Sequence, residues 1–143
     1  MTHPVIAAAH ERVLPRLTPA NRPFWTSGAQ GRLTVQHCAA CGRWFLPSVD
    51  TCDVCGSPPT YDAVGGTGTV FTYTTNQHQF HPAITPPNLI AIVTLDEQDT
   101  LRLATNLVNC TENDVTIGMA VRVLFEDHGE VFYPVFTPAG PSR

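Results

Sequence analysis

Apolar and polar residues follow two different rhythms along this chain, changing near residue 60. Over Pro4–Leu14 (P-V-I-A-A-A-H-E-R-V-L) the spacing predicts a short amphipathic helix, stopped by Pro15. Thr18-Pro19 reads as an N-cap followed by proline in the first turn, predicting a second helix through Asn21–Gln30 that ends at Gly31. Arg32–Gln36 and Arg43–Pro47 then alternate as two short strands.

Beyond Tyr61 the pattern is β. Gly65–Thr75 predicts a strand with Val70, Thr72 and Thr74 on one face and Phe71 and Tyr73 on the other. The nearly continuous apolar run Asn88–Asp96 predicts a strand buried on both faces. Leu101–Leu107 is a third strand, after the polar turn Glu97–Thr100, and Glu112–Met119 is a turn or a single helical turn. Met119–Glu126 sets Val121, Val123 and Phe125 against Arg122 and Glu126, and Asp127–Gly129 turns the chain into a fifth strand, Glu130–Phe136. Five strands with a short helical link between the third and fourth fit an OB-fold barrel, whereas sandwiches need about seven. The expected architecture is therefore mainly β: a helical arm over 1–30, a small module over 31–60, a five-stranded barrel over 61–138 and a frayed tail over 139–143.

The module between arm and barrel holds the strongest chemical signal. C-A-A-C-G at Cys38–Gly42 and C-D-V-C-G at Cys52–Gly56 are two C-x-x-C knuckles in strand–knuckle order. Two intervening residues let both sulfurs of a knuckle reach one ion, and the following glycine permits the turn. Cys38, Cys41, Cys52 and Cys55 thus predict a rubredoxin-like zinc ribbon, with iron as the alternative metal. Four thiolates leave no open position for water, so the ion is structural.

Composition narrows the partners. The 143 residues are 43% hydrophobic and 14% charged, without an apolar run near the ~20 residues of a membrane span. Net charge is −4, and every one of the eight basic residues is arginine. With four thiolates and one Zn²⁺ the charge falls to about −6. Such a chain gains little from counterion release, which argues against nucleic acid even though Phe71 and Tyr73 would suit base stacking in a single-strand-binding barrel. Cysteines in metal spacing, and opening residues unlike a secretory signal, point to the cytoplasm.

No catalytic constellation is evident. Cys110 has no glycine elbow or helix start around it and reads as an inert buried thiol. Phe24 and Trp25 either pack the arm on the ribbon or dock a partner subunit. The proline-rich loop Asn76–Pro87, carrying His78, Phe80 and His81, joins the first two barrel strands, where OB-folds often bind ligands; otherwise it is a stiff surface loop.

Pro23-Phe24-Trp25, the two C-x-x-C-G knuckles and the strand I-G-M-A-V-R-V-L-F-E at Ile117–Glu126 together resemble the zinc-ribbon/OB-fold proteins associated with acyl-CoA enzymes. The resemblance runs from about Pro23 to Pro138. It implies a non-catalytic accessory subunit of a thiolase-superfamily enzyme: a thiolase, a steroid side-chain aldolase or a C-acyltransferase. It further implies a thiolase-like catalytic partner. In such a complex, expected to be a heterotetramer, the aromatic residues place Phe24, Trp25, Phe71 and Tyr73 at the expected contact, and the loop reading puts His78, Phe80 and His81 beside a CoA channel.

Overall fold

The computed structural model describes residues 2–8, 12–78 and 88–139. Val5–Ala7 form β1, not the helix expected over Pro4–Leu14. An isolated helix of this length is marginal in water, and the open edge of a later strand offers these residues direct backbone partners. That strand is β8 (Ala120–His128), which β1 joins in parallel, Val5 opposite Phe125. The arm continues the edge where another strand leaves it: Gly66 accepts from Val123 N–H, and two residues on Pro4 accepts from Phe125 N–H. His3 ties the junction by donating its backbone N–H to Gly31 and a ring N–H to Gly65, each at 2.7 Å.

The second expected helix exists but is shorter. Thr18 and Asn21 exchange bonds that hold the turn before it, and α1 spans only Arg22–Thr26. Ser27–Gln30 tighten into a 3-10 turn. Gly28 in this turn is closely packed: a Cβ there would lie 2.5 Å from the Phe125 ring and 2.6 Å from Phe132. Gly28→Ala is expected to destabilise the protein by about 1–3 kcal/mol through overpacking, read as a lowered denaturant midpoint; an unchanged midpoint would refute this packing argument.

The ribbon is a three-stranded antiparallel sheet, β3 (Trp44–Phe45), β2 (Thr34–His37), β4 (Thr60–Ala63). The barrel comprises β5 (Thr67–Asn76), β6 (Asn88–Leu95), β7 (Arg102–Asn106), β8 and β9 (Val131–Pro138), with sheet order β1-β8-β5-β6-β7 and β9 on β8. A 3-10 turn at Glu112–Asp114, closed by a Thr111–Asp114 capping box, supplies the expected link. The barrel is not closed by a full ladder: β7 and β9 share one parallel bridge, Leu107 to Phe136. Its core includes Val70, Val93, Val121, Val123, Phe125 and Phe136, continuous with Leu33, Val35 and Phe24 of the preceding segments.

Three expectations about faces change. Val70 pairs with Val93 but Thr72 pairs with Ile92, so Phe71 is the extra residue of a β-bulge. The bulge inverts the alternation: Phe71 stays outside, 48% exposed, while Tyr73 packs against the core. The two rings therefore do not share a face. β6 is buried on one face only: Leu89, Ala91, Val93 and Leu95 are inside, and Ile90 and Ile92 are half-buried because no second layer of the described residues covers that side. Glu126, expected outside, is 3% exposed because the arm lies over it. The β8–β9 turn is Gly129-Glu130, since Asp127 and His128 still pair across the hairpin.

Candidate functional site

Both cysteine knuckles fold alike. Gly42 donates to Cys38 C=O at 2.7 Å and Gly56 to Cys52 C=O at 2.9 Å, while Cys38 and Cys52 N–H bond Arg43 and Ser57 C=O at 2.8 Å. Gly42 and Gly56 sit at φ 78° and 75°, in the left-handed region where a side chain is strained. Two equivalent turns thus aim four sulfurs at one point.

The four Sγ atoms lie within 4.8 Å of one another, and the pairs Cys38–Cys55 and Cys41–Cys52 are 3.4 Å apart. A tetrahedron with metal–sulfur bonds of about 2.3 Å needs sulfurs roughly 3.8 Å apart. The donor set therefore fits one metal ion. Cys38 and Cys52 are buried while Cys41 and Cys55 face solvent. Hydrogen bonding to Cys52 pushes the pKa of the Cys41 thiol proton up to about 12, and the Ser57 hydroxyl and N–H bring that of Cys55 down to about 6. Binding an ion must displace those protons. His37, next to a ligand, turns away; it stacks on Trp44 at 4.0 Å and bonds Asp62 at 2.9 Å.

The other candidate residues disperse. Phe24 belongs to the core, 5% exposed, with its ring edge-on to Trp25. Trp25 is half-buried, tilts against Tyr133 at 5.3 Å and lines a cavity of about 450 Å³ with Leu46, Tyr61, Arg102 and Leu103. Phe71 lies under the Arg102 guanidinium, 4.0 Å away. His78 is exposed at the end of β5 in a turn capped by Asn76. Phe80 and His81 lie outside the described residues. Cys110 is half-buried, and burial followed by the Asp114 charge pushes its thiol up. A raised thiol is a poor nucleophile.

A polar cluster went unseen in the sequence. Arg12 bonds both carboxylate oxygens of Glu126 and reaches Asn106 Oδ1 at 2.7 Å. His128 Nε2 lies 3.2 Å from Glu126, and the Arg12 guanidinium covers the Tyr133 ring at 4.5 Å. The three charged or titratable side chains are 3–8% exposed. Arg12, Tyr133 and Asn106 border a second cavity of about 430 Å³. The one available signal was Glu126 on a strand, but alternation assigned it outward.

Two family models match end to end. Residues 25–60 match the rubredoxin-like zinc ribbon domain of ChsH2, and residues 61–126 match its C-terminal OB-fold domain. The chain is similar to a probable enoyl-CoA hydratase alpha subunit of Thermomonospora curvata, 41% identical over 124 residues. That alignment covers 84% of this chain and 38% of the relative. A DUF35 domain-containing scaffold protein of Methanocaldococcus jannaschii is 32% identical over 94 residues, 62% of this chain and 64% of the relative. The chain thus spans less than two thirds of either curated relative. A solved structure described as an Ltp2-ChsH2(DUF35) aldolase aligns with TM-score 0.77 and 38% identity over 89% of this chain and 100% of that one. A DUF35 structure from Sulfolobus solfataricus shares the fold at TM-score 0.58 and 18% identity, covering 84% of this chain and 85% of that one. Among the described residues no helix is long and apolar enough to cross a membrane.

Proposed function

This chain belongs to the ChsH2 family of zinc-ribbon and OB-fold proteins, and from that premise we propose that it is a non-catalytic accessory subunit of an acyl-CoA enzyme. The observation that carries this reading is the likeness to the ChsH2(DUF35) chain of an aldolase, which this chain covers in full. The partner supplies the chemistry and is a thiolase-like subunit of an aldolase, thiolase or acyltransferase. A symmetric heterotetramer is the expected stoichiometry. The Thermomonospora relative carries the name of a probable enoyl-CoA hydratase alpha subunit, which makes a hydratase a further candidate for the enzyme served.

The ion we assign to the four thiolates is Zn²⁺. It supplies a rigid crosslink between the two knuckles, since four sulfurs leave it no coordination site for substrate. The residues of this chain serve as a scaffold. The knuckles hold β2 and β3; β2 is continuous through Leu33 with α1; and Trp25 and Tyr133 carry the arm onto the barrel. The outer side of β6, with Ile90 and Ile92 half-buried, offers one apolar surface for that partner. We further propose that the loop beginning at His78 serves the partner's acyl-CoA channel, and that the complex works in the cytoplasm.

Co-expression with an Ltp2-type catalytic subunit from the same organism is expected to yield one complex in size-exclusion chromatography. Acyl-CoA turnover should require both chains and be absent from this chain alone. A monomer that ignores every such subunit, or one that turns over acyl-CoA unaided, would end the reading.

A further inference from the structure

Among the described residues the outer edge of β7 is open. Its pairing with β6 engages alternate residues: Leu107 N–H donates to Leu89 C=O at 3.1 Å, and Leu95 N–H to Leu101 C=O at 2.8 Å. The period of two therefore turns the N–H and C=O groups of Arg102, Ala104 and Asn106 away from β6. On that side β9 reaches only the far end of the strand. Val108 N–H donates to Phe136 C=O at 2.8 Å, and the Thr105 hydroxyl to Pro134 C=O at 3.2 Å. Among the described residues nothing bonds the backbone of Ala104, which is exposed.

The surroundings of this edge are selective. The two cavities described above meet at Ala104, one toward Trp25 and Leu103, the other toward Ile90 and Tyr133. Their charged lining residues are Arg12 and Arg102, with no carboxylate among the described residues, although the whole chain carries −4. Arg12 is committed to Glu126. Arg102 rests on Phe71 and makes no ion pair among the described residues. A free edge without proline or a bulge of its own, flanked by apolar cavities, is the arrangement that proteins protect unless it is used.

We propose that the free edge of β7 takes up an extended segment of the catalytic partner as an added antiparallel or parallel strand, with an acidic side chain of that segment on Arg102. Backbone bonds to Ala104 supply affinity, and alternate side chains enter the two cavities. A second copy of this chain is disfavoured as occupant, because its own edge brings another arginine and no acid. The proposal rests on the accessory-subunit reading and adds to it where and how the partner is held.

The test uses the full chain with the co-expressed Ltp2-type subunit. Ala104→Pro removes an N–H that points away from β6, a position where edge strands tolerate proline. Arg102→Glu reverses the charge, and Arg102→Lys preserves it. Ala104→Pro and Arg102→Glu are each expected to weaken complex formation on the order of tenfold or more, with metal content and thermal unfolding unchanged and Arg102→Lys near wild type. Hydrogen exchange should show protection at Ala104 and Asn106 only in the complex. If Ala104→Pro unfolds the barrel, Arg102→Glu and the exchange data decide. Wild-type affinity in both variants, or protection that grows with concentration of this chain alone, overturns the proposal while leaving the accessory role intact. Failure of the wild-type chain to bind any catalytic subunit removes both.

Discussion

Cys52→Ser is expected to abolish metal binding and to melt the ribbon. Beyond β2, whose Val35 joins the main core, the ribbon has little else to hold it: β4 is largely exposed, and β3 is two residues long. Its buried side chains between the knuckles are chiefly the cysteines themselves, Cys38 and Cys52. Binding of a structural Zn²⁺ by such a set amounts to about 10–16 kcal/mol near neutral pH, comparable to the whole stability of a typical domain. Metal analysis should fall from one ion per chain to none. Thermal unfolding should split, with the ribbon lost first and the β5–β9 barrel melting later on its own core. Chelation of the wild-type protein should reproduce the result, and acid should favour it, because protons compete for the sulfurs. A Cys52→Ser protein that melts in one step at the wild-type temperature would mean that packing, not the ion, holds the ribbon.

The second large effect is expected at Arg12. Burial pushes the Glu126 carboxyl up, but the Arg12 bonds and charge, aided by His128, more than offset this and leave it below its ordinary value of 4.5. The sign follows directly. A depressed carboxylate contributes stability that is complete above pH 4.5 and is lost as pH falls through the lower, folded-state value. Arg12→Met leaves a nearly inaccessible carboxylate without its main partner, at a cost of about 3–5 kcal/mol. The pH dependence contributed by Glu126 should also invert. With burial dominant, protonation becomes favourable, so the deficit should shrink between pH 7 and pH 4. The double variant Arg12→Met, Glu126→Leu should recover most of the loss, because the buried charge is gone. Urea titrations of the three proteins at both pH values measure this; equal stability of Arg12→Met and wild type at pH 7 would show that the buried pair is dispensable.

The same two sites mark how far a linear reading reaches. The cluster of four thiols was legible because two C-x-x-C-G segments encode their own geometry: each turn closes on itself, and a fold that brings two such turns together gathers the four sulfurs. The barrel strands were legible because each is a short run rich in apolar and β-branched residues bounded by turn residues, a signal written locally. The Thr111–Asp114 turn between the third and fourth barrel strands is likewise a local device.

What the linear reading missed shares one physical origin. Residues 4–8 favour a helix by composition, yet Val5–Ala7 join β8, a partner about 120 residues away, where β5 has left an edge open. Phe71 and Tyr73 looked like one face until the bulge opposite Val93 and Ile92 shifted the count by one. Glu126 looked like a surface residue because its partner, Arg12, is 114 positions distant. By itself the sequence determined the thiolate site, the β-rich barrel and the family, since these follow from contacts between near neighbours. Tertiary structure alone decided the strand in the arm, the buried Arg12–Glu126 pair and the free edge of β7, because each depends on which distant backbone or charge comes to lie alongside.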